Sequence, residues 1–345
     1  MTETRHMSSK TKKVSIWDRT IVTENFTIVD AYRANRPLLK QRFIDLGYQV
    51  HETPHFLLFT RSEAPATVVV HWFAPEAINA DLSIYLVQEL GPFGILARAQ
   101  HLGEILGGIV GLLFPDDARR AWRFFGANTL QRYLLFLATA YTPPLPDYAT
   151  IGMFATLYQR VCELRIGESF LDAGCGLGFL PLLVGERIPF LTRIVGVDIQ
   201  AETFSVASEI AAERHLTNVQ FAQADLLADD FNALGRYDTV TALHVLEHFT
   251  ETDMYHVLTN LLGVTSQRFI IAVPYEREPE KSYGHQQVFS RTKLEDVGDW
   301  CIRKLGGAGR MWLEDCVGGL LLIEKTGLVC TAEATSPQER NLRCC

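Results

Sequence analysis

No C-x-x-C pair occurs in these 345 residues, although there are seven cysteines, at positions 162, 175, 301, 316, 330, 344 and 345. Ribbon and finger zinc sites, which need such pairs, are therefore excluded. The odd count suits a reducing compartment rather than a disulfide framework. Cys344 and Cys345 close a polar end and do not form a prenylation box, which needs its cysteine four residues from the end. Long apolar runs are also missing. Ile105 to Phe114, ten residues closed by Pro115, is the longest and is too short to cross a bilayer. The opening MTETRHMSSKTKK is polar and basic with no apolar stretch behind it, so no secretory signal is expected and the reading is cytoplasmic. Positive charge is in deficit. With 32 Lys and Arg against 40 Asp and Glu, the net charge of −8 disfavours a nucleic-acid backbone as main partner and favours a small-molecule substrate. No internal repeat or low-complexity segment is present.

What is present is an ordinary globular composition, 48% hydrophobic, with room for two domains. The most informative stretch is SFLDAGCGLGFL, Ser169 to Leu180. Its apolar start predicts a buried strand over Ser169 to Ala173. Gly174, Gly176 and Gly178 predict a sharp turn that a ligand can approach, and a helix follows from about Phe179, its free N–H groups facing the same space. A dinucleotide fingerprint, G-x-G-x-x-G/A, also follows a strand. Here the third glycine comes one residue early, Phe179 occupies the small-residue position, and Asp172 lies two residues before Gly174. A carboxylate there opposes a pyrophosphate and suits an ammonium or sulfonium group, so S-adenosylmethionine is favoured over NAD.

Further strands follow in order. RIVGVDI, Arg193 to Ile199, ends in Asp198 about twenty residues past the glycines, where a ribose-binding acid belongs. NVQFAQADL, Asn218 to Leu226, is closed by Asp225, an acceptor suited to an exocyclic adenine amine. YDTVTAL, Tyr237 to Leu243, runs into HVLEHF, which reads as helical. Over about residues 155 to 326 the chain resembles the class I S-adenosylmethionine-dependent methyltransferases. That resemblance implies a Rossmann-like α/β sheet of seven strands with an antiparallel pair last. It also implies cofactor contacts at Asp172, Gly174, Gly176, Gly178, Asp198, Ile199, Asp225, Leu226 and Leu243. A non-catalytic protein that kept this fold would be expected to lose the cofactor contacts, and the glycine turn, Asp198 and Asp225 are all intact.

Chemistry is expected at the carboxyl ends of the strands. At helical spacing His244, Glu247 and His248 can share one face. H-x-x-E-H also matches a zinc-protease signature, but that helix belongs in another scaffold. Phosphobase methyltransferases are similar in carrying a histidine at an A-x-L-H position, which points to His244 as the acid-base residue. Ubiquinone-pathway O-methyltransferases have acidic residues plus L-E-H and are associated with a divalent metal. His244 replaces one of those acids, so the leading expectation is no metal, and an ion held by His244, Glu247 and His248 is the alternative. The block is also similar to the F-E-H-F of cyclopropane fatty acid synthases, which keeps lipid acceptors open. His285, in a G-H-x-x-x-F setting after the fifth strand, is a second candidate base, with Tyr275 and Tyr283 as hydroxyl contacts; His248 is a third. Structural roles for Glu247, His248 and His285, in seating the turn or the loop, are equally compatible with these motifs. A base is needed only if the acceptor is a hydroxyl, an ammonium or an acidic carbon, and a histidine titrating near neutrality suits it. Small-molecule O-methylation in specialised metabolism is the leading reading, with N- or C-methylation, lipid modification and, more distantly, NAD-dependent oxidoreduction behind it.

The rest of the chain divides by texture. Residues 1–85 suggest a small α/β unit with strands at HFLLFTR and ATVVVHWF and a helix over Val29 to Leu46. Residues 86–154 read as helical, with Pro115 and Asp116 starting a long helix and Leu130, Leu134 and Leu137 along one face. This region is expected to cap the active site or build a homodimer interface. Trp122, Phe124, Phe125, Tyr133 and Tyr141 read as core rather than a substrate pocket. TPPLP at 142–146 punctuates it, and a methyltransferase domain over 155–328 and a polar tail over 329–345 complete the division. Within that domain the remaining expectations are a strand at Arg268 to Pro274, a helix at Thr292 to Leu305, and a strand pair, MWLEDC and GLLLIEK, around Gly318 and Gly319.

Overall fold

Residues 19–61, 66–139 and 150–326 are described in the computed structural model. The basic opening, Tyr141, the TPPLP segment, Cys330, Cys344, Cys345 and the tail lie outside them. Five strands come first: β1 Thr20–Val22, β2 Phe26–Asp30, β3 Gln49–Glu52, β4 Phe56–Thr60 and β5 Thr67–His71, with helix α1, Arg36–Asp45, between β2 and β3. Their order is β1-β2-β5-β4-β3, with only β2 and β5 parallel. The helix expected from Val29 begins seven residues later. Val29 and Asp30 extend the β2 ladder opposite Val70 and His71, Asn35 caps α1 by accepting from the Leu38 N–H, and Pro37 sits in the first turn.

Four helices join this sheet to the next: α2 Asp81–Leu90, α3 Ala99–Gly111, α4 Ala118–Thr139 and α5 Thr150–Leu164. The expected domain boundaries at residues 85 and 154 fall inside α2 and α5. Pro115 lies in the turn before α4 rather than in its first turn. Along α4, Leu130, Phe125 and Tyr133 are buried as core.

The larger sheet is built from β6 Ser169–Ala173, β7 Arg193–Asp198, β8 Val219–Gln223, β9 Tyr237–Leu243, β10 Thr265–Val273, β11 Gly309–Asp315 and β12 Gly319–Lys325. The intervening helices are α6 Phe179–Arg187, α7 Ala201–Glu213, α8 Glu251–Val264 and α9 Arg291–Lys304. The order is β11-β12-β10-β9-β6-β7-β8, parallel throughout except that β12 is antiparallel to both neighbours. The seven strands and their antiparallel finish are as the resemblance implies. Phe170, Leu171, Val240, Ile270 and Ile271 are fully buried, because helices cover both faces of a parallel sheet. The chain leaves β6 toward β7 and β8, then returns to β9 on the other side. That reversal opens a crevice at the carboxyl ends of β6 and β9, where an α/β sheet binds its ligand.

One local expectation fails. HVLEHF is not an α-helix: after β9 His244 takes a φ of +54°, and only Leu246–His248 form a 3-10 turn. The N–H of His244 still reaches across to the Ala272 carbonyl (2.9 Å), so the chain leaves the sheet abruptly. The single-face zinc-protease arrangement of His244, Glu247 and His248 therefore does not form.

Candidate active site

The three glycines of the turn after β6 all have positive φ, +72°, +51° and +75°, for three different uses. A Cβ on Gly174 would meet Val245 Cγ2 at 2.6 Å, and one on Gly178 would meet Ala207 and Phe221 at 2.6 Å. A Cβ on Gly176 would meet nothing within 4 Å. Gly174 and Gly178 let neighbouring elements pack; Gly176 alone faces open space. Its N–H donates to Asp198 Oδ2 (2.9 Å), while the Gln200 N–H donates to Oδ1 (3.0 Å), so the acid at the end of β7 is fixed to the turn. Ile199 beside it is exposed. Asp225 stands past the end of the adjacent strand β8, exposed, with Oδ1 accepting from the Leu227 N–H (2.9 Å). Leu226 and Leu243 are buried behind.

Asp172 is buried near the end of β6 and accepts from Thr241 Oγ1 at 2.7 Å. Burial pushes its carboxyl up to about 7; the Thr241 bond opposes this and the Asp198 charge adds to it. A cation over the turn would restore its charge. These residues fit an adenosyl ligand with an ammonium group: an open backbone cradle, a pinned acid for a ribose, an acid one strand over for an amine. Sequence reasoning missed Tyr158 of α5, whose hydroxyl is held neutral by burial and by the nearby Tyr133, Asp172 and Cys175. Its helix lies outside the strand-and-turn motif, and nothing in its local sequence marks it.

At the far end of the crevice His244 contacts the Phe154 ring (centroids 4.9 Å). A fifth of its side chain is open, yet Nε2 is covered and has no hydrogen-bond partner. Burial lowers its pKa to about 4, helped by the neighbouring His285 and His248. It is thus neutral at pH 7, but not the near-neutral titrator the sequence suggests. Glu247 is wholly buried with neither carboxylate oxygen bonded, and burial pushes it up to about 8. His244 Nδ1 lies 3.7 Å from Glu247 Oε1, too far for a hydrogen bond. His285 joins them: its ring is 5.0 Å from that of His248, and its Nδ1 is 2.9 Å from Glu276 Oε2. Ligating atoms of Glu247, His248 and His285 lie within 4.8 Å of one another, whereas His244 stands outside this group. The alternative trio of His244, Glu247 and His248 is thus not brought together; the group that forms reaches across to the loop after β10. Tyr283 also borders His285, with ring centroids 5.9 Å apart. Tyr275 instead donates to Asp315 at 3.5 Å.

A separate pocket of about 480 Å³ lies between α4, the glycine turn and α7, lined by Trp122, Phe125, Leu177, Phe179, Val206 and Ile210 among others. Two aromatics read as plain core thus also line a cavity. A run of ring contacts leads from Phe179 in the lining of that pocket through Tyr133, Tyr158 and Phe154 to His244.

Residues 170–267 match the family model described as a methyltransferase domain. The (S)-coclaurine N-methyltransferase of Papaver somniferum is 30% identical over 102 residues, covering 30% of this chain and 28% of that enzyme. The magnesium-protoporphyrin O-methyltransferase of Rhodobacter capsulatus is 29% identical over 121 residues, covering 35% of this chain and 51% of that enzyme. The chain thus spans about half or less of these relatives. The crystal structure of magnesium protoporphyrin IX methyltransferase from Synechocystis PCC 6803 with bound SAH superposes with a TM-score of 0.36 at 19% identity, covering 59% of this chain and 97% of that one. Strand order, glycine turn and family model coincide on one stretch of sequence, and residues 170–267 form a methyltransferase domain of the class I, S-adenosylmethionine-dependent kind.

Proposed function

We propose that the protein transfers a methyl group from S-adenosylmethionine to a hydroxyl of a small molecule. The observation that carries this reading is the open Gly176 backbone fixed to Asp198, with an unpartnered His244 Nε2 at the other end of the same crevice. When bound, S-adenosylmethionine supplies an electrophilic methyl on a sulfonium. Asp198 would accept from the ribose hydroxyls, Asp225 from the adenine amine, and Asp172 would face the ammonium. Alignment of this kind supplies roughly 7 to 11 kcal/mol of a barrier. With its proton on Nδ1, His244 takes or shares the hydroxyl proton at its unbonded Nε2 as the new bond forms, once the acceptor has displaced what covers that atom in the ligand-free fold. Both N- and O-methyltransferases stand among the relatives; the bare ring nitrogen favours the hydroxyl, since a neutral amine needs no base. No helix among the described residues is long and apolar enough to cross a membrane. We place the reaction in the cytoplasm, which the free thiols of Cys162, Cys175, Cys301 and Cys316 support.

Calorimetry with S-adenosylhomocysteine tests the cofactor half. Binding is expected, NAD is not expected to bind, and Asp198→Ala should weaken S-adenosylhomocysteine by about 1.5 to 3 kcal/mol. Methyl transfer from labelled S-adenosylmethionine into a panel of phenols, alcohols and amines tests the rest. Against the best acceptor, His244→Ala should lower turnover by about 10² with cofactor affinity unchanged. Transfer to amines alone, or an unimpaired His244→Ala, would overturn the hydroxyl assignment.

A further inference from the structure

Glu247 and His248 come from the turn after β9 and His285 from the loop after β10, yet one ligating atom of each lies within 4.8 Å of the others. Around a first-row cation at roughly 2.0 to 2.2 Å, tetrahedral donors stand about 3.4 Å apart, so side-chain rotation closes the set. A second observation points to a ligand here. The Glu247 side chain is 1% exposed and neither oxygen has a hydrogen-bond partner in another residue, a state that native structures seldom leave uncompensated.

The imidazoles are already oriented for ligation. His285 Nδ1 lies 2.9 Å from Glu276 Oε2, and in the tautomer with its proton on Nδ1 the ring donates to this carboxylate and keeps Nε2 for a metal, Glu276 being the usual outer partner of a metal-bound histidine. His248 is held through a hydrogen bond with the Gly284 backbone. Two imidazoles and one carboxylate suit zinc and its first-row neighbours better than magnesium or calcium. Three protein donors leave a coordination position open, as in catalytic rather than structural sites.

We propose that Glu247, His248 and His285 bind one first-row divalent transition-metal ion, with Glu276 holding His285 in place. The site adjoins His244, which is not itself a ligand. An open position there would receive the acceptor's oxygen and ease its deprotonation, a role that rests on the hydroxyl-methylation reading; the binding of the ion does not.

The test is calorimetric titration of Zn²⁺ and of Mn²⁺ into the chelator-stripped full-length chain, with circular dichroism confirming that each variant is folded. S-adenosylhomocysteine binding is measured on the same samples. One Zn²⁺ site per chain is expected. His285→Ala and Glu247→Gln should weaken it by 30-fold or more, Glu276→Gln by about tenfold, and His244→Ala by less than threefold. Equal Zn²⁺ binding by wild type and His285→Ala, or as large a loss in His244→Ala as in His285→Ala, would overturn the site. If S-adenosylhomocysteine binds and the metal does not, only this inference falls. If the metal binds and S-adenosylhomocysteine does not, the methyl-transfer reading falls instead.

Discussion

Asp172 shows how much of the candidate site a single residue can make legible and where reading stops. Its place two residues before Gly174 announces a carboxylate under a cationic ligand, but only the fold shows it buried and bonded to Thr241. Its pKa is raised from 3.8 to about 7, chiefly by burial. A raised folded-state pKa means that the ligand-free fold favours the protonated form. The associated stability is present in full below about pH 4 and is lost as pH rises through about 7. Asp172→Asn can still accept from Thr241 and never ionises. Without ligand, this variant should therefore gain on wild type by a few kcal/mol between pH 4 and pH 8 in urea denaturation, while binding S-adenosylhomocysteine more weakly at pH 8. A stability difference independent of pH would show that Asp172 is ionised in the ligand-free fold. The position and residue type of His244 were legible, but its low pKa comes from burial and from His285, forty-one residues away in the chain.

At the scale of elements, the strand–turn–helix from Ser169 onward was readable because each of its determinants is local: an apolar run, three glycines and a helix start. The division of labour among the glycines was not readable, because Val245, Ala207 and Phe221 come from other elements. That division predicts opposite outcomes for similar substitutions. Gly176→Ala places its methyl in open space, at the roughly 1 to 2 kcal/mol cost of a left-handed backbone, and should abolish S-adenosylhomocysteine binding with a modest fall in Tm. Gly178→Ala pays the same backbone cost and also forces Ala207 and Phe221 apart, so its Tm should fall considerably further. Thermal denaturation and calorimetry on the pair separate the two effects, and equal Tm values would refute the assignment. The helical reading of HVLEHF failed for a related reason. Spacing alone favoured one face, whereas the bond from the His244 N–H to Ala272 O and the positive φ break the run at its first residue.

Across the whole molecule, the least legible feature is what the N-terminal half does for the site. No motif marks residues 19–139, and the misplaced start of α1 shows how a strand and a helix in close succession blur when only their texture is read. In the folded chain the helices grip the loop that carries His285. Ser282 Oγ donates to the Leu96 carbonyl (3.2 Å), Tyr283 shares a side-chain hydrogen bond with Ser83 of α2, and Gly284 passes close to Ala99 of α3. Partners some two hundred residues apart leave no local trace in a sequence. The grip braces the segment 274–290, between β10 and α9, from the N-terminal half of the chain. Tyr283→Phe keeps the ring against His285 and removes only the bond to Ser83, a loss of about 0.5 to 1.5 kcal/mol. If that bond braces the loop, amide exchange over residues 276–287 should quicken about three- to tenfold, with no change in α6 or the glycine turn. Unchanged exchange in the loop, or faster exchange spread evenly over the sheet, would mean that the helices merely cover the domain. A confined change would instead make the N-terminal half part of what positions the acceptor.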